Sequence, residues 1–466
     1  MAATPPTAER GSRLDLLRGL CGGAVHLPGD AGYDRARLPW NLQVDARPAA
    51  VAYPAFPDEV ATVVRAAAAA GLRVAPMGTG HGAPPLSGRL GDAVLLRTSA
   101  LTELHVDTDR QTARVGAGVL WGDVVERAGE VGLAARHMSS PSVGVVGSSL
   151  GGGISWYARR HGLQCSALTA IEVVLADGSF VRATGHDDLL WAARGGGGFG
   201  VVTAVEFDLL PIATAFAGLL AWDWRHAERV LRAWADWTRE TPEDVTTVAR
   251  LFQAPDQPDL PAGLRGRQVV VVDGAVLGPP GRAAQLLAPL RALRPELDTF
   301  HVARADSLPR LHLDPEAPTV AHASSVLLDD LPEEAVEALV AAAGPRSGSG
   351  LVDLEVRQLG GALARPSPRG GALDRLDGAF LVLGVGIADE PAGLASLRRD
   401  TTRIFAALAR WASSGLYLPM VDQANDGRRG LSPTAWERLA AIRAAADPEG
   451  RFVVPHEGSA AQPADA

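Results

Sequence analysis

A histidine lies inside a glycine-rich turn near the start of the chain, in the run from Arg73 to Gly82 (RVAPMGTGHG). Glycines at 78, 80 and 82 allow positive φ angles and close approach of the backbone to a ligand. Successive backbone N–H groups in such a turn form a concavity that suits a phosphate or pyrophosphate. Phosphate-binding turns usually carry small or hydroxyl residues here, so the imidazole of His81 is the first candidate for chemistry.

Two further glycine clusters follow in the first half of the chain. The second runs from Ser139 to Ile154 (SSPSVGVVGSSLGGGI) and the third from Gly195 to Gly200 (GGGGFG). Each cluster alone fits a structural turn as well as a ligand contact. Taken together, their order and spacing favour ligand binding.

Two competing motifs occur within these clusters. Gly195, Gly197 and Gly200 satisfy G-x-G-x-x-G, but they precede a predicted strand, whereas the dinucleotide fingerprint follows a strand and opens a helix. Residues 147–151 (GSSLG) satisfy G-x-S-x-G, the nucleophile elbow of α/β-hydrolases. An elbow needs a helix directly after the serine, and the glycines at 151–153 each disfavour a helix by ~1 kcal/mol relative to alanine. A serine hydrolase remains the alternative from another reaction class.

Composition excludes several other classes. The 466 residues suffice for two or three domains, and 47% hydrophobic with 21% charged residues is typical of a globular protein. All 44 basic residues are arginine, which excludes a Schiff-base lysine, a pyridoxal-phosphate enzyme and the usual phosphate-loop NTPase. The net charge of −9 offers no basic surface for nucleic acid or a membrane.

Metal ligands and targeting signals are scarce. The two cysteines, Cys21 and Cys165, predict neither a disulfide framework nor a cysteine-rich metal site. No two histidines have the helical spacing of metal ligands around a carboxylate, so we predict no metal. The first residues lack the apolar core of a secretory signal, and no apolar run reaches the ~20 residues that span a bilayer. These features predict a cytoplasmic protein.

The elements around the turn follow from hydrophobic periodicity and end signals. Pro57 and the two acids after it start a predicted helix that ends at Gly71, and a predicted strand at 72–76 leads into the histidine turn. After Pro211, predicted helices at 225–241, 281–291, 332–342 and 394–412 alternate with strands such as 269–272 and 380–387. The region between Leu311 and Ala372 is interpreted as rich in turns.

The three clusters and the elements between them resemble the FAD-linked oxidoreductases of the vanillyl-alcohol-oxidase (PCMH-type) superfamily, in particular the berberine-bridge-enzyme-like branch. The resemblance implies an α+β fold, with a two-subdomain PCMH-type FAD-binding domain at 40–212. A substrate-binding domain at 213–430 would have an antiparallel sheet covered by helices. The remaining expected parts are an N-terminal segment at 1–39, a C-terminal segment returning to the FAD domain at 431–458, and a disordered tail at 459–466.

In that branch the histidine of the turn bonds to the 8α-methyl carbon of FAD, so the resemblance implies that His81 is a covalent tether. The other implied FAD contacts come from the glycine clusters and from the strand after the third cluster. They are Met77, Gly78, Thr79, Gly80, Gly82, Ser140, Pro141, Ser142, Val143, Gly144, Gly147, Gly151, Gly152, Gly153, Val201, Val202 and Thr203. Residues 78–82 and 141–144 would hold the pyrophosphate and ribityl chain, and the glycines at 151–153 would let the backbone approach the isoalloxazine ring.

The chain departs from the family pattern at four places, one of which is Ser166-Ala167 in place of an acidic–Asn pair that is common after Gly-Leu. Ser140 stands where doubly linked relatives have a cysteine, so we expect one covalent bond to FAD and not two. Met77 replaces an arginine that is common in the turn. Tyr417-Leu418-Pro419 replaces a Tyr-x-Asn motif, so the contact of that asparagine to the flavin is missing or supplied from elsewhere.

Tyr417 matches the tyrosine of that motif and is the first candidate for catalytic base or substrate anchor. A phenol with an unperturbed pKa near ~10 stays protonated at neutral pH, so it needs help from Arg357, on a predicted strand facing the cavity, or from Asp422. The implied reaction oxidises a hydroxyl group of a small sugar-like or secondary-metabolite substrate by hydride transfer to FAD, with oxygen as acceptor. The alternative is a flavin-binding protein with a decayed catalytic site.

Overall fold

Two sheets organise the first half of the chain. A computed structural model describes residues 14–457, so the expected tail at 459–466 lies outside the described residues. The strands of these sheets are β1 (Val25–His26), β2 (Ala50–Ala52), β3 (Arg73–Met77), β4 (Ala93–Arg97), β5 (Leu104–Asp107), β6 (Thr112–Gly116), β7 (Leu168–Val174), β8 (Phe180–Thr184) and β9 (Val201–Asp208). The first sheet has the order β1-β2-β4-β3 and the second the order β5-β6-β9-β7-β8. Because β1 pairs with β2, the segment before residue 40 contributes a strand to the first sheet.

Six helices accompany these sheets. They are α1 (Tyr33–Ala36), α2 (Pro57–Ala69), α3 (Trp121–Gly129), α4 (Val145–Gly151), α5 (Ala158–His161) and α6 (Asp188–Ala193). Helix α2 starts with Pro57 at its first position, carries Asp58 and Glu59 in its first turn, and is followed by Gly71 at φ 69°. These are the start and stop signals used in the sequence, and they place the end of β3 directly before the histidine turn.

A single large antiparallel sheet organises the second half. Its strands are β10 (Thr214–Asp223), β11 (Val245–Gln253), β12 (Gln268–Val276), β13 (Leu297–Asp298), β14 (His301–Arg304), β15 (Ala321–Leu328), β16 (Asp353–Gln358) and β17 (Phe380–Ile387). The order is β13-β10-β12-β11-β16-β17-β15, and β14 also pairs with β10. The turn-rich interpretation of 311–372 is therefore wrong, because two strands of this sheet lie inside that region.

Four helices cover one face of the large sheet. They are α7 (Ala227–Glu240), α8 (Pro280–Arg291), α9 (Glu333–Ala343) and α10 (Leu394–Leu408). Their apolar sides share one core with Trp222, Val272 and Val382 of the sheet. The α+β prediction of an antiparallel sheet covered by helices is thus confirmed. None of the helices within residues 14–457 is long and apolar enough to cross a membrane.

The last segment packs on the first half of the chain. Helix α11 (Pro433–Ala446) buries Leu439 and Ile442 in the core of the first two sheets. Phe452 then forms a parallel bridge with Val74 of β3. The chain therefore returns next to the strand that carries the histidine turn.

Two buried arginines join the halves through backbone oxygens. Arg159 of α5 donates to the carbonyls of Leu359, Pro242 and Val245 at 2.7–3.0 Å. Arg194, directly after α6, donates to the carbonyls of Leu168 and of the loop residues 369 and 370. Planar guanidinium groups with five donors suit this role, since each satisfies several buried carbonyls at once.

We expect Arg159→Met to lower the free energy of unfolding by about 3 kcal/mol or more, because it leaves several buried carbonyls without a donor. Arg160→Met is the matched control: Arg160 is the next residue, its side chain is 53% exposed, and it pairs with Asp244. Loss of this exposed pair should cost at most about 1 kcal/mol. Denaturant unfolding followed by tryptophan fluorescence measures both. Equal losses in the two variants would contradict the role given to Arg159.

Candidate active site

His81 is held on both sides by hydroxyl groups. Its Nδ1 lies 2.7 Å from Thr79 Oγ1, and its Nε2 lies 3.4 Å from Ser142 Oγ. Trp40 stacks on the imidazole, with ring centroids 4.1 Å apart and planes inclined by 14°. Burial lowers the pKa of His81 to about 4, so the ring is neutral at physiological pH and keeps a nucleophilic lone pair.

The backbone of the turn forms an open array of donors. Within residues 14–457, the N–H groups of Gly78 to Gly82 have no backbone or side-chain acceptor. Gly80 has φ 86°, and a Cβ there would lie 2.5 Å from Pro39 Cβ. The turn is therefore held in a conformation that requires glycine while its donors stay free, which fits the pyrophosphate of FAD.

The second cluster lies beside the first. Ser140 Oγ is 2.9 Å from Ser142 Oγ, so two hydroxyls connect position 140 to His81. Pro141 and Val143 accept hydrogen bonds from the start of α3, and a Cβ on Gly144 would lie 3.6 Å from Thr79. The structure thus brings the residues predicted from 77–82 and from 140–144 together at one place.

The serines of the G-x-S-x-G run lie inside α4, which begins at Val145. Ser148 Oγ accepts from the indole of Trp121 at 2.8 Å and donates to the carbonyl of Gly144. Ser149 is buried and accepts from Gln164. A nucleophile elbow places its serine on a turn between a strand and a helix. The hydrolase alternative is therefore wrong, because both hydroxyls point into the fold with no histidine contact among residues 14–457.

The glycines at 151–153 are crowded by other parts of the chain. A Cβ on Gly151 would lie 2.9 Å from Pro419, and one on Gly152 would lie 3.1 Å from Leu373 and from Tyr417. A Cβ on Gly153 would meet Gln164 at 2.8 Å. On the Cβ side these glycines meet protein side chains, and the expectation that their backbone approaches the isoalloxazine ring stays a prediction. Gly147, in contrast, has open space on that side.

The remaining predicted contacts lie on the strands around the turn. Val201, Val202 and Thr203 begin β9 and are buried, and Thr203 donates to the carbonyl of Glu172. Met77 ends β3 with its sulfur 3.5 Å from Nη1 of Arg97, which lies opposite in β4. An arginine thus lies beside the position where the resemblance led us to expect one.

A group of buried charges, here called the charge network, lies on the face of the large sheet opposite the four helices. Its members are Arg250 on β11, Asp273 on β12, Asp353, Glu355 and Arg357 on β16, and His312 from the loop before β15. Arg250 donates to Asp273, to Asp353 and to the carbonyl of His312. Arg357 Nε donates to Glu355 at 2.7 Å. Register explains the grouping, because Arg250 is directly opposite Glu355 on the adjacent strand.

His312 connects the carboxylates of the network. Its Nδ1 is 2.7 Å from Asp273 and its Nε2 is 3.2 Å from Glu355. Burial and Arg250 oppose the protonated ring, but the two carboxylates outweigh them and raise the pKa of His312 to about 10. His312 is therefore a cation at neutral pH, and the network contains three cations and three carboxyl groups.

Three residues of the network have ligand atoms close enough together for a metal site, but those atoms are already engaged by protons and by arginines. Ligand atoms of His312, Asp353 and Glu355 lie within 4.8 Å of one another. Both nitrogens of His312 face carboxylates, so the protonated ring offers no lone pair to an ion. Arg250 and Arg357 already neutralise the carboxylates. The expectation of no metal stays a prediction.

A cavity of about 20 Å³ lies between this face and the first half of the chain. It has room for one water-sized polar group. The lining residues are Ser139, Ile154, Ser155, Trp156, Thr246, Thr247, Val248, Arg357 and Gln358. Arg357 is the charged residue among them, and its Nη1 has no hydrogen-bond partner within residues 14–457.

The three predicted catalytic residues lie in different bonding environments. Tyr417 is buried, and its hydroxyl accepts the N–H of Gly153 at 2.8 Å. Burial raises the pKa of Tyr417 well above its usual range. Asp422 accepts from Gln43 and from the N–H of Ala323, both at 2.7 Å. Within residues 14–457 neither predicted helper makes a hydrogen bond to the phenol, since Arg357 is bonded to Glu355 and Asp422 joins Gln43 to β15. The charge of Arg357 lowers the pKa of Tyr417, but burial outweighs it, and the role of Tyr417 stays a prediction.

Comparison with known proteins identifies the first half of the chain. Residues 48–184 match the family model of the FAD binding domain. The curated proteins that match this chain are FAD-linked oxidoreductases and oxidases. Glucooligosaccharide oxidase of Sarocladium strictum is 32% identical over 224 residues, 46% of this chain and 45% of that protein. The chain spans about half the length of the curated relatives it matches.

Solved structures resemble this chain over more of its length than the curated sequences do. The structure of 6-hydroxy-D-nicotine oxidase from Arthrobacter nicotinovorans has a TM-score of 0.81 and 25% identity, covering 92% of this chain and 96% of that one. The berberine-bridge-enzyme-like protein 1 of Physcomitrella patens has a TM-score of 0.82 at 19% identity, covering 97% and 99%, which shows the shared fold alone. The predicted FAD-linked oxidoreductase relationship and the predicted fold are confirmed.

Sequence reasoning missed most of the charge network and Trp40. The sequence contained two signals for the network. A strand reading Asp353-x-Glu355-x-Arg357 places three charged side chains on one face, and the loop before β15 contains His312. Their mutual contacts depend on strand register, which the sequence alone left open. Trp40 gave no signal, because its contact with His81 joins residues that are far apart in the sequence.

The pH dependence of stability tests the protonated state of His312. Since the folded-state pKa is raised from about 6.5 to about 10, its contribution is full below pH 6.5 and is lost as the pH rises through 10. We expect wild-type stability to fall across this window. His312→Gln should be less stable at pH 7 and should lose most of that slope, while exposed His301→Gln keeps it. Urea denaturation at several pH values measures this. An unchanged slope in His312→Gln would show that the ring is not the titrating group.

Tyr417→Phe separates a structural from a catalytic phenol. The substitution leaves the buried N–H of Gly153 without its acceptor, so we expect the free energy of unfolding to fall by about 1–3 kcal/mol. Because no described side chain is bonded to the phenol to take its proton, we expect flavin reduction by substrate to change by less than about tenfold. Stopped-flow absorbance measures that rate. A fall of about 10²-fold or more would restore Tyr417 as the base.

Proposed function

We propose that this chain is an FAD-dependent oxidoreductase that holds FAD through a single covalent bond to His81 and oxidises a hydroxyl group of a small sugar-like or secondary-metabolite substrate. The observation that carries the proposal is the free donor array of the glycine turn, in contact with a neutral histidine. FAD supplies the two-electron chemistry by accepting a hydride, and the protein orients the substrate against it. Molecular oxygen is the proposed acceptor, and a cytoplasmic location remains a prediction.

The large sheet supplies the proposed substrate side. Arg357 lines the cavity with a free Nη1, while Glu355 fixes the direction of its guanidinium. In this position Arg357 would bind a substrate oxygen without moving. Tyr417 is retained as a candidate contact, and its raised pKa favours a neutral phenol. The names of glucooligosaccharide oxidase and (R)-6-hydroxynicotine oxidase support substrates of the proposed size.

A flavin-binding protein with a decayed catalytic site is the second candidate. The separation of Tyr417, Arg357 and Asp422 into three bonding environments favours it. Anaerobic mixing of the holoprotein with a panel of sugars and polyols distinguishes the two candidates. Loss of the flavin absorbance in the visible supports the oxidoreductase, whereas a flavin that no member of the panel reduces supports the binding protein.

The tether is tested by His81→Ala. We expect wild-type protein to keep its flavin through acid denaturation, and the variant to release all of it, since the imidazole is the proposed attachment point. His105→Ala is the matched control and should behave as wild type, because His105 is an exposed residue of β5. Flavin retained by denatured His81→Ala would refute the assignment.

The single link is tested by mapping the flavin-bearing peptides with mass spectrometry. We expect one peptide containing His81, because a serine hydroxyl is a far weaker nucleophile than a thiolate. Ser140→Cys should add a second link, since Ser140 contacts the hydroxyl of Ser142, which in turn contacts the imidazole of His81. A crosslink to Ser140, Cys21 or Cys165 in the wild type would contradict this prediction.

A further inference from the structure

Arg97 is a partly buried cation without an acidic partner. It ends β4, and within residues 14–457 it forms no ion pair. Its Nη1 donates to the carbonyl of Leu38 at 3.2 Å and lies 3.5 Å from the sulfur of Met77. Its Nε is buried with no partner. The outer nitrogens of this guanidinium remain partly exposed and have no anionic partner among the described residues, so they are available to a negatively charged ligand.

The position of Arg97 identifies where that ligand lies. Parallel register places Arg97 directly beside Met77, the residue before the glycine turn. The sulfur of Met77 is in turn 3.2 Å from the point that a Cβ on Gly80 would occupy. The guanidinium therefore lies next to the turn whose free N–H groups fit a pyrophosphate.

Other arginines near this sheet have their charges or donors satisfied. Arg73, at the other end of β3, pairs with Asp92 at 2.7 Å. Arg89 pairs with Glu457 and also donates to two carbonyls. Arg97 contrasts with both, because its acceptors are one carbonyl and a thioether, and a thioether sulfur is a weak acceptor.

We propose that Arg97 binds the pyrophosphate of FAD, and that this strand residue takes the place of the arginine that is absent at position 77. The inference rests on the proposed function, because it assumes the same FAD site. Arginine suits this task, since its planar fork can hold two phosphate oxygens at once. Met77 then serves as an apolar spacer that keeps the guanidinium under the turn.

The test measures ligand affinity and not activity. Full-length apoprotein from riboflavin-depleted cells is titrated by calorimetry with ADP, which carries a pyrophosphate, and with adenosine, which does not. We expect Arg97→Met to weaken the binding of ADP by about tenfold or more and to leave the affinity for adenosine unchanged, because only ADP would lose a charge-assisted contact. Arg97→Lys should be intermediate. Arg73→Met is the matched control on β3 and should bind ADP as wild type.

A charge exchange gives the decisive variant. The double replacement Met77→Arg with Arg97→Met returns one guanidinium to the turn, and we expect it to restore ADP affinity to within about threefold of wild type. Equal ADP affinity in wild type and Arg97→Met, or an equal loss for adenosine, would overturn the proposal. If thermal melting shows that Arg97→Met does not fold, Arg97→Lys and the double replacement decide. The proposal is overturned if Arg97→Lys binds ADP with wild-type affinity. It is also overturned if the double replacement folds but recovers no ADP affinity.

The same titrations separate this inference from the proposed function. Wild-type apoprotein that binds neither FAD nor ADP would refute the flavoprotein as a whole. Wild-type apoprotein that binds FAD, with an ADP affinity independent of Arg97, would refute the role of Arg97 alone.

Discussion

The balance of charge on the inner face of the large sheet constrains the rest of the molecule. Three cations and three carboxyl groups are buried there together, and each cation contacts at least one carboxylate. Removing one partner of such a pair leaves an uncompensated buried charge, which typically costs 3–5 kcal/mol. Because the partners come from β11, β12, β16 and one loop, their contacts are kept only if the strand register is kept.

The charge network also determines how the sheet meets the FAD-binding half. His312 lies with its ring centroid 5.7 Å from that of Trp156, which belongs to the segment after the second glycine cluster. Glu355 is bonded to both His312 and Arg357, so the direction of the guanidinium in the cavity depends on a histidine outside it. The guanidinium proposed to meet the substrate is therefore positioned by Glu355 and His312, and the ring of His312 packs against Trp156 from the first half of the chain.

The sequence predicted the local elements better than their partners. Helix α2 and the strand after it followed from proline, acidic and glycine signals within one segment. Strand β15 was missed because its alternation is weak (AHASSVLL) and proline-containing stretches lie on both sides. The hydrogen bonds of Tyr417, Arg357 and Asp422 were not foreseen for a related reason: Tyr417 and Asp422 find their partners through long-range contacts, as Tyr417 does at Gly153. Family resemblance grouped the residues around His81, since those contacts come from adjacent turns.

Trp40 connects the histidine turn to the second half of the chain. Its N–H donates to the carbonyl of Thr79, its own carbonyl accepts from Thr319, and its indole donates to the carbonyl of Glu316. The ring that stacks on His81 is thus held by backbone on both sides of the domain boundary. The orientation of the imidazole therefore depends on contacts from both halves of the chain, because the indole that stacks on it is fixed by Thr79 on one side and by Glu316 and Thr319 on the other.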